Sequence, residues 1–237
     1  MKKLTFEEGK KITKEQMDIF NGLMISDAHL TKKNGKNGNS RFSLITSVKE
    51  FRDKVFDIFP NFPWSDSSLT SREVYDKRTN KRYKSHRLRS LTTTFFTEQR
   101  KKWYPKGKKI VPKDIKINKD MLLWWYIGDG HLHKNINRPN ARRIELATEG
   151  FTLKEIKNLI LQLKKTLNSE SICEERNEII ISKDAITKFA YLLGTISPVP
   201  TYQYKFDFGQ YLDPDYFIKV QNKNKRYLKQ KGKKYAK

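Results

Sequence analysis

The chain has 237 residues, and 50 Lys and Arg against 26 Asp and Glu give a formal net charge of +24, a balance that points to a polyanionic partner. Its hydrophobic content of 36% supports a buried core in one large domain or two small ones, which excludes disorder throughout. No apolar run reaches the length of a spanning helix, and Met1-Lys2-Lys3-Leu4-Thr5-Phe6-Glu7-Glu8 lacks the apolar stretch of a signal peptide, so neither a membrane partner nor secretion is expected. Cys173 is the only cysteine, so no intrachain disulfide or thiolate metal cage can form, and an intracellular setting (organelle, bacterial cytoplasm or phage-infected cell) is expected.

In chain order, residues 14–27 carry Met17, Ile19, Phe20, Leu23, Met24 and Ile25 and run into Ser26-Asp27-Ala28-His29-Leu30. This reads as a mostly apolar, buried helix. A polar stretch, Lys32 to Ser40, holds the hairpin signals Asn34-Gly35 and Asn37-Gly38 and leads to a strand at Arg41–Thr46. Ser47-Val48-Lys49-Glu50 has the form of a capping box, opening a helix with Phe51, Val55, Ile58 and Phe59 on one stripe. Strands at Leu69–Asp76 and Arg82–Leu91 and a helix at Thr94–Tyr104 complete a first half, residues 1–105. Residues 106–118 form a linker.

The second half, residues 119–196, repeats the plan. Met121-Leu122-Leu123-Trp124-Trp125-Tyr126-Ile127 leads into Gly128-Asp129-Gly130-His131-Leu132, and Asp129 stands 102 positions after Asp27. A polar stretch, Lys134 to Asn140, precedes a strand at Arg142–Thr148. Thr152-Leu153-Lys154-Glu155 is a second capping box, opening a helix with Ile156, Leu159, Ile160, Leu163 and Leu167 on one stripe. Short strands at Ser171–Arg176 and Glu178–Ser182 and a helix at Lys183–Leu193 follow. Residues 197–237 form a C-terminal extension whose Lys/Asn/Tyr-rich tail, from Lys219, is either inert or a phosphate contact. The basic runs between 77 and 89 alternate as strands do, which makes a membrane-surface helix the weaker reading.

Both apolar helices end on an acid, where the electronegative last turn disfavours it. One such acid is ordinarily a helix-end residue; two at matching positions of a repeat point to a shared task. The runs Phe20-Asn21-Gly22-Leu23-Met24-Ile25-Ser26-Asp27-Ala28 and Leu123-Trp124-Trp125-Tyr126-Ile127-Gly128-Asp129-Gly130 resemble the two signature helices of LAGLIDADG homing endonucleases in their single-chain, two-motif form. The resemblance spans about Thr13 to Phe208. It implies a mixed α+β fold of two pseudo-symmetric αββαββα halves, with the signature helices packed at the centre and the strands forming a β-saddle over double-stranded DNA. It also implies site-specific double-strand cleavage by a monomer, leaving 3′ overhangs, with Asp27 and Asp129 binding divalent metal.

Elementary chemistry agrees with that metal. Two carboxylates at close range do not both ionise comfortably without a cation between them. Mg²⁺, a hard ion that keeps water and phosphate ligands, suits them in two or three copies, with Mn²⁺ able to substitute, and no His/Cys cluster favours zinc. Ser26 and Gly128, small residues at the base of the helix pair, are counted with the acids in the metal set; His29 and His131 are not. The family also implies catalytic lysines in a Lys-Lys-x-x-Pro segment and a Tyr-Lys segment. Lys108-Lys109-Ile110-Val111-Pro112 and Tyr204-Lys205-Phe206 match at Lys109 and Lys205. The Gln that the family often has near the end of the second strand of each half is replaced around Thr46 and Thr148.

Strand faces are expected to read DNA, Arg pairing guanine in the major groove. The candidates are Arg41 and Ser43, Arg72, then either Arg82, Lys84 and His86 or Arg87 and Arg89, and Arg143 with Glu145 in the second half. The register of the 82–91 strand stays open, because polar and apolar residues do not alternate cleanly there. The longer strands and extra Arg of the first half predict that it covers more of the site. Two rival readings remain. An intron RNA-splicing maturase, or a non-cleaving DNA-binding protein, could use the same scaffold. A basic ribosome-associated protein explains the charge but not the paired Asp helices.

Overall fold

A computed structural model describes residues 12–31, 38–133 and 143–212. Most of the two polar stretches after the apolar helices, with Asn34-Gly35, and the tail from Lys219 lie outside the described residues. The first repeat runs α1 (Lys14–Ile25), β1 (His29–Leu30), β2 (Phe42–Thr46), α2 (Lys49–Ile58), β3 (Leu69–Asp76), β4 (Lys81–Arg89) and α3 (Thr94–Trp103). The second runs α4 (Lys119–Asp129), β5 (Gly130–His133), β6 (Arg143–Ala147), α5 (Leu153–Leu167), β7 (Ile172–Glu175), β8 (Glu178–Ile181) and α6 (Asp184–Leu193). Short 3₁₀ helices, Pro200–Phe206 and Gly209–Leu212, follow. The expected αββαββα order therefore occurs twice, each time with an antiparallel four-stranded sheet, β1-β2-β4-β3 and β5-β6-β8-β7. Among the described residues no helix is long and apolar enough to cross a membrane.

The chain divides into two compact units, Met1–Asp129 with Pro198–Thr201, and Gly130–Ser197 with Tyr202–Lys237. Because α4 packs on α1, it is grouped with the first. In that unit α1 opens with a capping box in which Thr13 and Gln16 satisfy each other's main-chain N–H groups. It then buries Ile19, Phe20, Gly22, Leu23, Met24 and Ile25. On α4, Met121, Leu122, Trp124, Trp125, Tyr126 and Ile127 are buried, so both helices are apolar on nearly every side, as central helices must be. Asn118 ties their starts together: its Oδ1 accepts from the Met121 N–H at 3.0 Å and its Nδ2 donates to Asp18 on α1 at 2.6 Å. Phe20 and Phe42 pack with ring centres 5.9 Å apart, Phe42 meets Phe62 at 5.8 Å and Phe59 stacks on Phe62 at 4.3 Å, joining α1, the sheet and the end of α2.

In the second unit the stripe of α5, Ile156, Leu159, Ile160, Leu163 and Leu167, is buried, as are Ile144, Leu146, Ile179 and Ile181 of its sheet and Ile186 and Phe189 of α6. The expected box at Thr152 and Glu155 is present. The one expected at Ser47 is not. Val48 is the N-cap of α2 and has no side-chain bond, while the Glu50 carboxylate accepts instead from the N–H of Thr201 at 3.1 Å and from its hydroxyl. A tertiary partner has taken the group that the local pattern assigns to the cap.

Candidate metal centre and DNA-reading sheets

The close approach of α1 and α4 builds the candidate centre. A methyl added to Gly22 would stand 2.3 Å from the Met121 carbonyl oxygen, and one added to Gly128 would stand 2.5 Å from Ser26 Oγ and 3.3 Å from Asp27 Oδ2. Glycine at these two places is therefore a steric requirement, and the backbone at Gly128 lies against the Asp27 carboxylate. Ser26 donates its hydroxyl to the carbonyls of Gly22 and Leu23 of its own helix at 3.2 and 3.3 Å, which holds that oxygen against Gly128. Asp27 follows the last turn of α1 and is exposed; Asp129, the last residue of α4, is half-buried.

Lys109 comes to the same place from the connection between α3 and α4. Its ammonium donates to the main-chain oxygens of Ser26 at 3.1 Å and Ala28 at 3.0 Å, the two residues flanking Asp27. Burial pushes its pKa down to about 8, against the raising pull of Asp129 and then Asp27. Both acids thus act electrostatically on one lysine, so Asp27, Asp129, Ser26, Gly128 and Lys109 are brought together. Lys205 belongs to the other unit, in the 3₁₀ helix Pro200–Phe206, where it is 6% exposed with Nζ 4.7 Å from the Tyr202 ring centre.

The donor set fits a hard divalent cation. It offers two carboxylates and no thiolate, and among the described residues no group of three or more His, Cys, Asp and Glu gathers to complete a closed cage. Water and phosphate oxygens would fill the remaining positions, as Mg²⁺ prefers.

Register settles which side chains share a sheet face. His29, Ser43 and Arg89 are direct partners across β1, β2 and β4, Ile45 pairs with Arg87, Arg87 with Thr70, and Ser85 with Arg72. Alternation then puts Arg41, Ser43, Arg72, Arg87 and Arg89 on one face, opposite the buried Phe42, Leu44 and Leu88. Burial and then the like charges of Arg87, Arg41 and Arg72 lower the Arg89 pKa, as four crowded guanidinium groups would. His29 joins them: burial and the charges of Lys109, Arg89 and Arg87 keep it below the usual histidine range. Ser43 is only 1% exposed beneath this cluster. Arg82 and Lys84 lie on the opposite face of the hairpin, exposed, with Arg82 3.6 Å from Glu73.

His86 does not join the basic face. It is 7% exposed, turned toward α2, with Nδ1 2.8 Å from Ser71 Oγ. Arg52 on α2, which donates to Thr70 and Ser71, has no counterpart in the sequence reading; a charged residue beside Phe51 gives no sign of burial. The second sheet has a different character. Arg143 and Glu145 share a face with His131, and Arg143 is paired to Glu145 at 2.6 Å and Glu175 at 3.0 Å. Burial and then the charges of Glu145 and Glu149 raise the Glu178 pKa. Thr148, at a position where the family often has Gln nearby, donates its hydroxyl to the Asn177 carbonyl.

Comparison with known proteins bears on the fold and the family. The chain is 33% identical over 159 residues to the uncharacterized protein MJ1098 of Methanocaldococcus jannaschii, a match covering 65% of this chain and 57% of that one. It is 26% identical over 214 residues to the cytochrome b mRNA maturase bI2 of Debaryomyces hansenii, covering 86% of this chain and 77% of the maturase. In fold it is similar to the homing endonuclease I-WcaI bound to its DNA recognition sequence, with a TM-score of 0.72, 20% identity, and coverage of 84% of this chain and 89% of that one. The model of the LAGLIDADG DNA endonuclease family matches residues 17–189, and the chain belongs to that family.

Proposed function

We propose that the protein is a site-specific, divalent-metal-dependent endonuclease that hydrolyses both strands of duplex DNA as a monomer and leaves 3′ overhangs. The observation that carries this reading is the convergence of Asp27, Asp129 and Lys109 where α1 and α4 end. Mg²⁺ is the proposed ion and Mn²⁺ a substitute. Asp27 and Asp129 would hold such an ion, which would supply Lewis-acid assistance to hydrolysis of a phosphodiester. Asp27 and Asp129 each hold the charge for one strand. Lys109, fixed by two carbonyl oxygens, is placed to polarise the attacking water or to balance charge on the phosphate. Lys205 is proposed for the corresponding role.

The basic face of the first sheet would lie in the major groove, with Arg41, Arg72, Arg87 and Arg89 reading bases or phosphates. The second sheet brings Arg143 and Glu145, the carboxylate suited to accept from a cytosine amino group. Digestion of a plasmid library bearing randomised inserts, with Mg²⁺ and with EDTA, tests the reading: linear product confined to the Mg²⁺ lane and to one insert sequence is expected. A second reading, an intron RNA maturase, is favoured by the match to bI2 across 86% of the chain. Stimulated splicing of an intron RNA without cleavage of any insert would select it.

A further inference from the structure

The β3–β4 hairpin reaches beyond the helices beneath its sheet. From Arg72 to Lys84 no residue is buried, and on β4 cover begins only at Ser85 and His86. A two-stranded ribbon is marginal on its own, so its direction is set at the root.

The root is held by a chain of hydrogen bonds on the helix side. Arg52, 5% exposed, donates through Nη1 to the Thr70 carbonyl at 3.2 Å and to Ser71 Oγ at 3.0 Å. Asp53 holds the other side of the guanidinium, 2.7 Å from Nε and 2.6 Å from Nη2. The same Ser71 oxygen that accepts from Arg52 is also hydrogen-bonded to His86 Nδ1, 2.8 Å away, so the chain runs from Arg52 through Ser71 to His86. An apolar residue at position 52 would cover the same area without desolvating a guanidinium. The group is therefore spent on direction rather than on burial.

Ser71 and His86 are direct cross-strand partners, and their neighbours Arg72 and Arg87 face the other way, on the basic face. Fixing one face of a pleated pair fixes the other. We infer that Arg52, acting through Ser71 and His86, is a positioning residue for base recognition: it sets where Arg72 and Arg87 meet the duplex and touches no nucleotide itself. The inference rests on the DNA-recognition reading given under Proposed function.

A binding selection from a randomised duplex library tests it, run with the wild type, Ser71→Ala, Ser71→Thr, Arg52→Met and the Arg72→Ala/Arg87→Ala double variant. The wild type enriches one long site. Ser71→Ala and Arg52→Met enrich a site in which about tenfold of the preference is lost at one block of base pairs, the block also lost in the double variant, while the rest of the site keeps its preference. Ser71→Thr, which keeps the hydroxyl, restores the block. A merely structural role would weaken binding across the whole site instead, and that result overturns the inference. So does wild-type preference at every position in Ser71→Ala, which also decides the matter should Arg52→Met fail to fold. Failure of the wild type to enrich any sequence would overturn the DNA-recognition reading itself, and the inference with it.

Discussion

Gly22 of α1 lies so close to Met121 of α4 that a methyl group on its α-carbon would stand 2.3 Å from the Met121 carbonyl oxygen. The obstacle is backbone, which cannot rotate aside. Gly22→Ala must therefore push the helix ends apart, and with them Asp27 and Asp129. Overpacking of this kind costs about 1–3 kcal/mol or more. Urea denaturation should show a lower midpoint with an unchanged slope, and cleavage should fall further than stability alone explains. An unaltered midpoint would contradict the packing described.

Lys109→Met is expected to remove strand cleavage while leaving DNA affinity within a few-fold of the wild type. The methionine fills similar space but supplies no proton or charge beside the acids. Single-turnover rates at saturating enzyme separate the two effects, and a loss seen only in affinity would reduce Lys109 to a phosphate contact.

The basic face predicts the salt dependence. If the first sheet and its surroundings neutralise several phosphates, log affinity should fall with log salt at a slope of about −5 or steeper, close to −0.9 per phosphate contacted. Arg89→Ala and Arg87→Ala should each either reduce that slope by about one or relax preference at one base pair. Arg143→Ala should move the slope less, because Glu145 and Glu175 already neutralise Arg143.

Acid should loosen the first unit. Burial, then the charge of Arg52, holds His86 below the usual histidine range, and burial with Lys109 and Arg89 does the same for His29. In the window between these lowered values and the unfolded value of about 6.5, the unfolded chain binds more protons, so stability rises with pH there and levels off above it. Thermal midpoints measured from pH 7 down to pH 5 should fall, and His86→Gln should flatten part of the fall. A midpoint that is level or rising toward acid would contradict the buried, neutral histidine.

Where local chemistry decides the outcome, the sequence was legible. The stripe of α5 and the Thr152 capping box follow from spacing alone, because their partners lie within a few residues. The twin acids were visible through the repeat, and Lys109 through family resemblance. The two carbonyls that hold Lys109 lie 83 and 81 positions away, beyond any local pattern. Glu50 misleads for the same reason: its partner Thr201 is 151 positions distant. The face of β4 was undecidable from a run of mixed polar residues, and pairing with β2 resolved it by placing Leu88 beside Leu44. Arg52 was invisible because a buried guanidinium looks, in sequence, like any residue of a polar helix face.

The proposed metal-dependent centre for cutting DNA stands on Asp27 and Asp129 together. Its most direct test is digestion of a supercoiled plasmid carrying the selected site, in Mg²⁺, by the wild type, Asp27→Asn, Asp129→Asn and the double variant, with binding followed in parallel by gel shift. Linear product is expected from the wild type, at most nicked circles from each single variant, and intact plasmid with retained binding from the double variant. Linear product at the wild-type rate from the double variant would contradict the proposed centre.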